Sequence, residues 1–152
     1  MNITTELIKE LREKTSAGVM DCRRALEEAK GDIEKAAEIL RKQGLEKAEK
    51  KADRITGQGL VEAYIHQTGK IGALVLVQCE TDFVERTEDF KTLCHELAMQ
   101  VASMNPKDVS DLLKQEYIRD GSKTISELIK ETIAKLGENI VVKKFSRIEL
   151  GE

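Results

Sequence analysis

Apolar residues recur along the first third of the chain at helical intervals. Ile3, Leu7, Ile8 and Leu11 form one stripe, and Thr4 or Thr5 stands where an N-terminal cap belongs. Residues 15–19, with Gly18, break the period. Cys22, Ala25, Leu26 and Ala29 then repeat the i, i+3, i+4, i+7 pattern, and Gly31 ends it, because glycine enters the left-handed conformation without steric penalty. Asp32 caps a third stretch whose apolar face is Ile33, Ala36, Ala37 and Leu40 and which Gly44 closes. Helices this short are marginal alone, so the pattern predicts a three-helix bundle over residues 1–44. Residues 45–56 carry Glu46, Lys47, Glu49, Lys50, Lys51, Asp53 and Arg54 and read as a charged, helical linker.

After Gly57 and Gly59 the period changes. Residues 60–66 are rich in strand formers, Gly69-Lys70 marks a turn, and residues 71–77 are nearly continuous apolar; together they predict a hairpin. The helical period returns with Phe90, Leu93, Leu97 and Val101 on one face, and Asn105-Pro106 stops it. Residues 108–123 are polar with scattered apolar positions and give no assignable element. Thr124 and Glu127 stand at capping-box distance before a helix carrying Leu128, Ile129, Ile133 and Leu136 and ending at Gly137. Residues 139–150 form a last strand with Ile140, Val142 and Ile148. The expected architecture is α+β: the helical bundle (1–44), the linker (45–56), and a core domain (57–152) with a small antiparallel sheet covered on one face by helices.

Composition narrows the function. A chain of 152 residues can bury a core without disulfides or a metal. With 40% hydrophobic and 35% charged residues, disorder over most of its length is excluded. A net charge of −3 gives no global attraction to nucleic acid or anionic membrane, and 3% aromatics leave little for stacking bases. No membrane-length apolar run, signal peptide or transit peptide is readable, so the expected location is the cytosol. Three cysteines (Cys22, Cys79, Cys94) without a Cys-x-x-Cys pair fit a reducing compartment, and two histidines leave little metal-ligand material.

Candidate chemistry is sparse. Gly121-Ser122-Lys123-Thr124 lacks the Gly-Lys dipeptide and upstream glycine of a phosphate-binding loop and reads as a turn feeding a helix. Cys79 with His66 could form a thiol nucleophile and base if the hairpin paired them; the ordinary reading is a buried cysteine filling space and an exposed histidine. Cys94 and His95, adjacent on a helix, point about 100° apart. Lys47, Lys50, Lys51 and Arg54 make a basic stripe, but the interspersed acids favour a solvated face. The strongest oddity is Thr81-Asp82-Phe83-Val84, where strand gives way to helix. Local physics favours Asp82 as an N-cap, with Glu85 three residues on, and Phe83 packing toward Phe90. The other reading is a protruding apolar wedge offered to a partner.

Three separated motifs resemble one family. Glu80-Thr81-Asp82-Phe83-Val84, after a strand ending in Cys79, looks like the signature of elongation factor Ts. The run Leu11-Arg12-Glu13-Lys14-Thr15-Ser16-Ala17-Gly18-Val19-Met20-Asp21-Cys22, with Gly31-Asp32-Ile33-Glu34, resembles its ubiquitin-associated-like domain. Gly137-Glu138-Asn139 is similar to its Gly-Glu-Asn motif. The resemblance implies a guanine-nucleotide exchange factor for elongation factor Tu, binding it in GDP-bound and nucleotide-free forms. Phe83 would be the wedge that disturbs the Mg²⁺ site, Asp82 its polar guide, and Thr81 and Val84 the shapers of the turn. Gly18, Val19 and Met20 would dock on the same partner domain. It implies no cofactor, no metal and no catalytic residue of its own. The chain departs from familiar members in having only a short polar bridge between Asn105 and Thr124, where they carry a second subdomain or a long helical insertion. Short members of the family pair their single core subdomains, which implies a homodimer through the sheet. Two alternatives follow: a module that binds elongation factor Tu, or itself, without exchange activity, and a small cysteine hydrolase built on Cys79 and His66.

Overall fold

The computed structural model describes residues 2–152, which divide into two compact units, residues 2–50 and 51–152. The first unit holds α1 (Thr5–Thr15), α2 (Val19–Glu28) and α3 (Ile33–Glu49). Thr4 caps α1, its hydroxyl accepting from the Leu7 N–H at 3.2 Å, and Asp32 caps α3 through the Lys35 N–H at 3.1 Å. Leu11, Cys22, Ala25, Leu26 and Ala36 form the buried core, with Ile3, Leu7, Ile8, Ile33 and Leu40 packed around it. Gly44 does not close α3, which runs on to Glu49. A glycine inside a helix costs only about 1 kcal/mol against alanine, and the helix formers that follow it, with Ala48 buried among them, carry the helix past it.

The second unit runs β1 (Gln58–Ile65), β2 (Ile71–Cys79), α4 (Asp82–Glu85), α5 (Glu88–Met104), α6 (Val109–Lys114), β3 (Glu116–Tyr117), β4 (Asp120–Thr124), α7 (Ile125–Leu136) and β5 (Ile140–Glu149). Strands β1, β2 and β5 make an antiparallel sheet in that order, and β3 pairs with β4 in a separate small hairpin. On β2, Ala73, Val75, Val77 and Cys79 are buried, while Leu74 between them is 50% exposed, the period-two alternation of a sheet covered on one face. Helix α5 lies on β1 and β2, and α7 packs on α5. Phe90, Leu93, Cys94, Leu97 and Val101 of α5 and Ile125, Ile129 and Ile133 of α7 fill the core. The fold is thus the expected α+β arrangement.

Strand β5 contains a bulge. Val142 pairs with Val77 and Lys144 with Leu76, which leaves Lys143 without a partner. That extra residue explains the broken alternation of the tail, because Val142 and Phe145 both face the helices across it. The bridge that gave no assignable element in the sequence is α6 and the β3–β4 hairpin. It is organised by Gln100, fully buried on α5. The Gln100 amide nitrogen donates to the Glu116 carbonyl at 3.0 Å and to Gln115 Oε1 at 3.2 Å, and its oxygen accepts from the Ile118 N–H at 3.1 Å. Short strands of this kind have no hydrophobic period of their own, so periodicity cannot find them. Among the described residues, no helix is long and apolar enough to cross a membrane.

Candidate partner-binding site

Helix α4 is a single turn between β2 and α5, too short to persist without outside support. Its N-cap is Thr81, not Asp82: the Thr81 hydroxyl accepts from the Val84 N–H at 3.4 Å, and Asp82 is the first helical residue. Threonine wins because its extended backbone (φ −128°, ψ 159°) continues β2 into the turn, as a cap residue must. Asp82 instead pairs with Arg86 one turn on, at 3.0 Å, with both side chains largely exposed, a contact that contributes little.

Phe83 does not pack toward Phe90. Its side chain is 83% exposed, whereas Phe90 is fully buried. A large exposed aromatic on a chain with three phenylalanines is unusual, and at this turn it protrudes into solvent.

The turn is fastened at three points. Val84 is buried. Glu85 accepts from the Gly59 N–H of β1 at 3.0 Å. Gly59 is required there: a Cβ would lie 2.1 Å from the Val77 carbonyl oxygen. The third point is remote in sequence. Glu138 accepts from the Thr81 N–H at 3.0 Å through one carboxylate oxygen and from the Thr81 hydroxyl at 2.6 Å through the other. Beside it, Glu80 accepts from the Asn139 N–H at 2.8 Å. Each segment thus lends a carboxylate to the other's backbone. Asn139, 3% exposed, donates its side-chain amide to the carbonyls of Arg54 at 2.9 Å and Ala52 at 3.3 Å. Sequence reasoning noted Gly137-Glu138-Asn139 as a motif without giving it a task. Partners 57 residues apart leave no local signal beyond polar residues crowding the ends of apolar elements.

In the N-terminal unit, Gly18 is the N-cap of α2, and Val19 and Met20 are 47% and 60% exposed at its start. An open groove of about 800 Å³, lined by Ile8, Arg12, Ser16 and Val19 among others, runs beside them.

The cysteine–histidine pairing does not occur. Cys79 sits at one end of β2, and the His66 N–H bonds to the Ile71 carbonyl at the other. Eight residues of strand separate those ends by roughly 25 Å. Burial, reinforced by the nearby Glu138 and Glu85, pushes the Cys79 thiol up to about 11, and burial beside Glu62 pushes Cys94 to about 12. All three thiols are buried. Iodoacetamide at pH 8 is therefore expected to leave the folded protein unmodified and to label all three in denaturant. Mass-spectrometric counting checks this, and Cys79 labelling in the folded protein at the rate of a small free thiol would contradict it. The two raised thiols have a stability consequence. Folded pKa values above the unfolded one mean that stability is complete below about pH 9 and declines as pH rises through 11 to 12.

The family model described as "Elongation factor TS" matches residues 80–152. Curated proteins named "Elongation factor Ts" match the chain from end to end. That of Thermoanaerobacter sp. (strain X514) is 45% identical, covering 99% of this chain and 96% of its own. That of Coprothermobacter proteolyticus is 46% identical with both chains fully covered, and that of Thermotoga neapolitana is 45% identical, covering 100% and 99%. The first of these alignments spans 195 positions against 152 residues here, so the relative carries at least 43 residues that face a gap in this chain.

Proposed function

This chain belongs to the elongation factor Ts family of translation elongation factors, and from that premise we propose that it is the guanine-nucleotide exchange factor for elongation factor Tu. The observation that carries the reading is Phe83, 83% exposed at the tip of a turn that is itself held at three points. An apolar side chain kept in water costs free energy until a partner covers it. Phe83 enters the nucleotide-binding domain of elongation factor Tu and displaces the elements that hold Mg²⁺ beside GDP. Asp82 guides it, and Thr81 and Val84 fix the turn. Gly18, Val19 and Met20 dock the N-terminal unit on the same domain; methionine adapts readily to such a contact.

Exchange of this kind is linkage and makes or breaks no covalent bond. Weakening the Mg²⁺–phosphate contact weakens GDP binding, and each 1.4 kcal/mol is about tenfold. By reciprocity GDP weakens the hold of elongation factor Tu on this protein by the same factor. The reading asks for no nucleotide, metal or nucleophile in this chain and puts the protein in the cytosol with its partner. The experiment is the release rate of a fluorescent GDP from elongation factor Tu with and without this protein. Faster release supports the reading. Tight binding without faster release leaves a binder only, and no binding at all sinks the assignment of partner.

A second observation supports self-association. The face of the sheet turned away from the helices carries Val61 (66% exposed), Ile65 (66%), Leu74 (50%) and Ile148 (76%), neighbours across three strands. A contiguous apolar patch of this kind marks an interaction site, and an identical patch on a second copy satisfies a twofold interface. Sedimentation equilibrium is expected to give a dimer for the native chain and a monomer for Leu74→Glu. A monomeric native chain at tens of micromolar would rule the homodimer out.

A further inference from the structure

Phe83 is 83% exposed, so its aim depends mainly on the backbone beneath it. Within the turn that backbone is held by the Glu85 and Arg86 N–H groups, which donate to the Thr81 and Asp82 carbonyls at 3.3 and 3.2 Å, and by one long side-chain cap. The capping bond from the Val84 N–H to the Thr81 hydroxyl is 3.4 Å long, and α4 has only four residues. The hydroxyl can accept there only if its own proton points elsewhere. Glu138 Oε2 takes that proton at 2.6 Å, while Oε1 takes the Thr81 N–H at 3.0 Å. Two bonds to one carboxylate define both the direction of the hydroxyl and the plane of the peptide before it. Glu138 is itself located by what flanks it: Gly137, left-handed at φ 79°, ends α7, and Asn139 is buried and bonded on the other side.

We propose that Glu138 is the positioning residue of the wedge: by chelating the N–H and hydroxyl of Thr81 it orients the turn that presents Phe83 before the partner arrives. The inference rests on the exchange-factor reading. Its physical content is preorganisation. When only a fraction of molecules hold the binding-competent turn, the apparent affinity falls by that fraction. Loss of the clamp therefore lowers the second-order rate constant of exchange and leaves the rate at saturation much less affected. Phe83→Ala lowers both, because it removes the group that does the displacing.

The test uses the full chain and elongation factor Tu loaded with fluorescent GDP, at a temperature well below every variant's melting midpoint. Glu138→Ala is expected to lower the second-order rate constant about tenfold, the low end of what a charge-assisted hydrogen bond contributes. Glu138→Gln, which keeps an acceptor for the Thr81 N–H but cannot accept from the hydroxyl with its amide nitrogen, is expected to fall between Ala and native. In a Phe83→Ala background, Glu138→Ala is expected to change the rate constant less than twofold, because the clamp acts through the wedge. The same factor in both backgrounds, or no change in either, overturns the proposal. If the native chain does not speed GDP release, the exchange-factor reading fails, and the clamp is read separately by amide hydrogen exchange in the free protein. The Thr81 amide is expected to be protected in the native chain and to exchange at least tenfold faster in Glu138→Ala. Equal rates would remove the clamp itself.

Discussion

Phe83→Ala is expected to slow the protein-stimulated release of GDP from elongation factor Tu by about 30-fold or more, the effect of truncating an interface residue that contributes over 2 kcal/mol. The substitution should leave the fold alone. The side chain is 83% exposed, and surface changes of that kind stay within about 0.5 kcal/mol. Coincident thermal melts with unequal release rates are the expected pair of results. A variant as active as the native chain would mean that the exposed aromatic is not the displacing group, whatever else on the chain contacts the partner.

The opposite outcome is expected seven residues later. Phe90 stands on the first turn of α5, fully buried between the helices and the sheet. Phe90→Ala removes a large apolar side chain and leaves a cavity, which costs about 3–5 kcal/mol. That is a large share of the 5–15 kcal/mol by which a domain this size is stable. Urea denaturation should show the midpoint falling with little change in slope. A loss under 1 kcal/mol would indicate that the core beneath α5 closes over the gap. Two identical side chains on adjoining helices thus have separable consequences: one measured in a partner's nucleotide, the other in denaturant.

That contrast also shows what the sequence could and could not reveal. The stripes of α1, α2, α5 and α7, the capping residues Thr4, Asp32 and Thr124 and the stops at Asn105 and Gly137 were legible, because each depends on neighbours within a few residues. Gly44 misled, since a glycine at a stripe's end resembles a stop when the residues beyond it are charged. The fate of Phe83 was not legible. A phenylalanine beside a helix start is ordinarily core, and the local signals left the protruding wedge as the weaker of two readings until the family resemblance was added. Least legible of all was the fastening of the turn: Gly59 to Glu85, Glu80 to Asn139 and Thr81 to Glu138 join elements far apart in the chain. The β3–β4 hairpin escaped for a related reason: the buried amide of Gln100, the ion pair of Arg119 with Glu96 and the isolated buried Tyr117 hold it, and none of them makes a period.

The unpaired Lys143 sets a rule of parity for the last strand. Residues on either side of it are one step out of phase, so the strand's inner face is read on one count before it and on the other after. Removing one residue of β5 away from the bulge, with the bulge kept, would turn every side chain beyond the cut to the opposite face of the sheet. Removing one lysine of the Lys143-Lys144 pair would not, since it merely returns the ladder to an unbroken two-residue count. Single-residue length changes in this strand are therefore absorbed without inversion at the bulge, and when relatives are aligned with this chain a one-residue gap in β5 belongs at the Lys143-Lys144 pair.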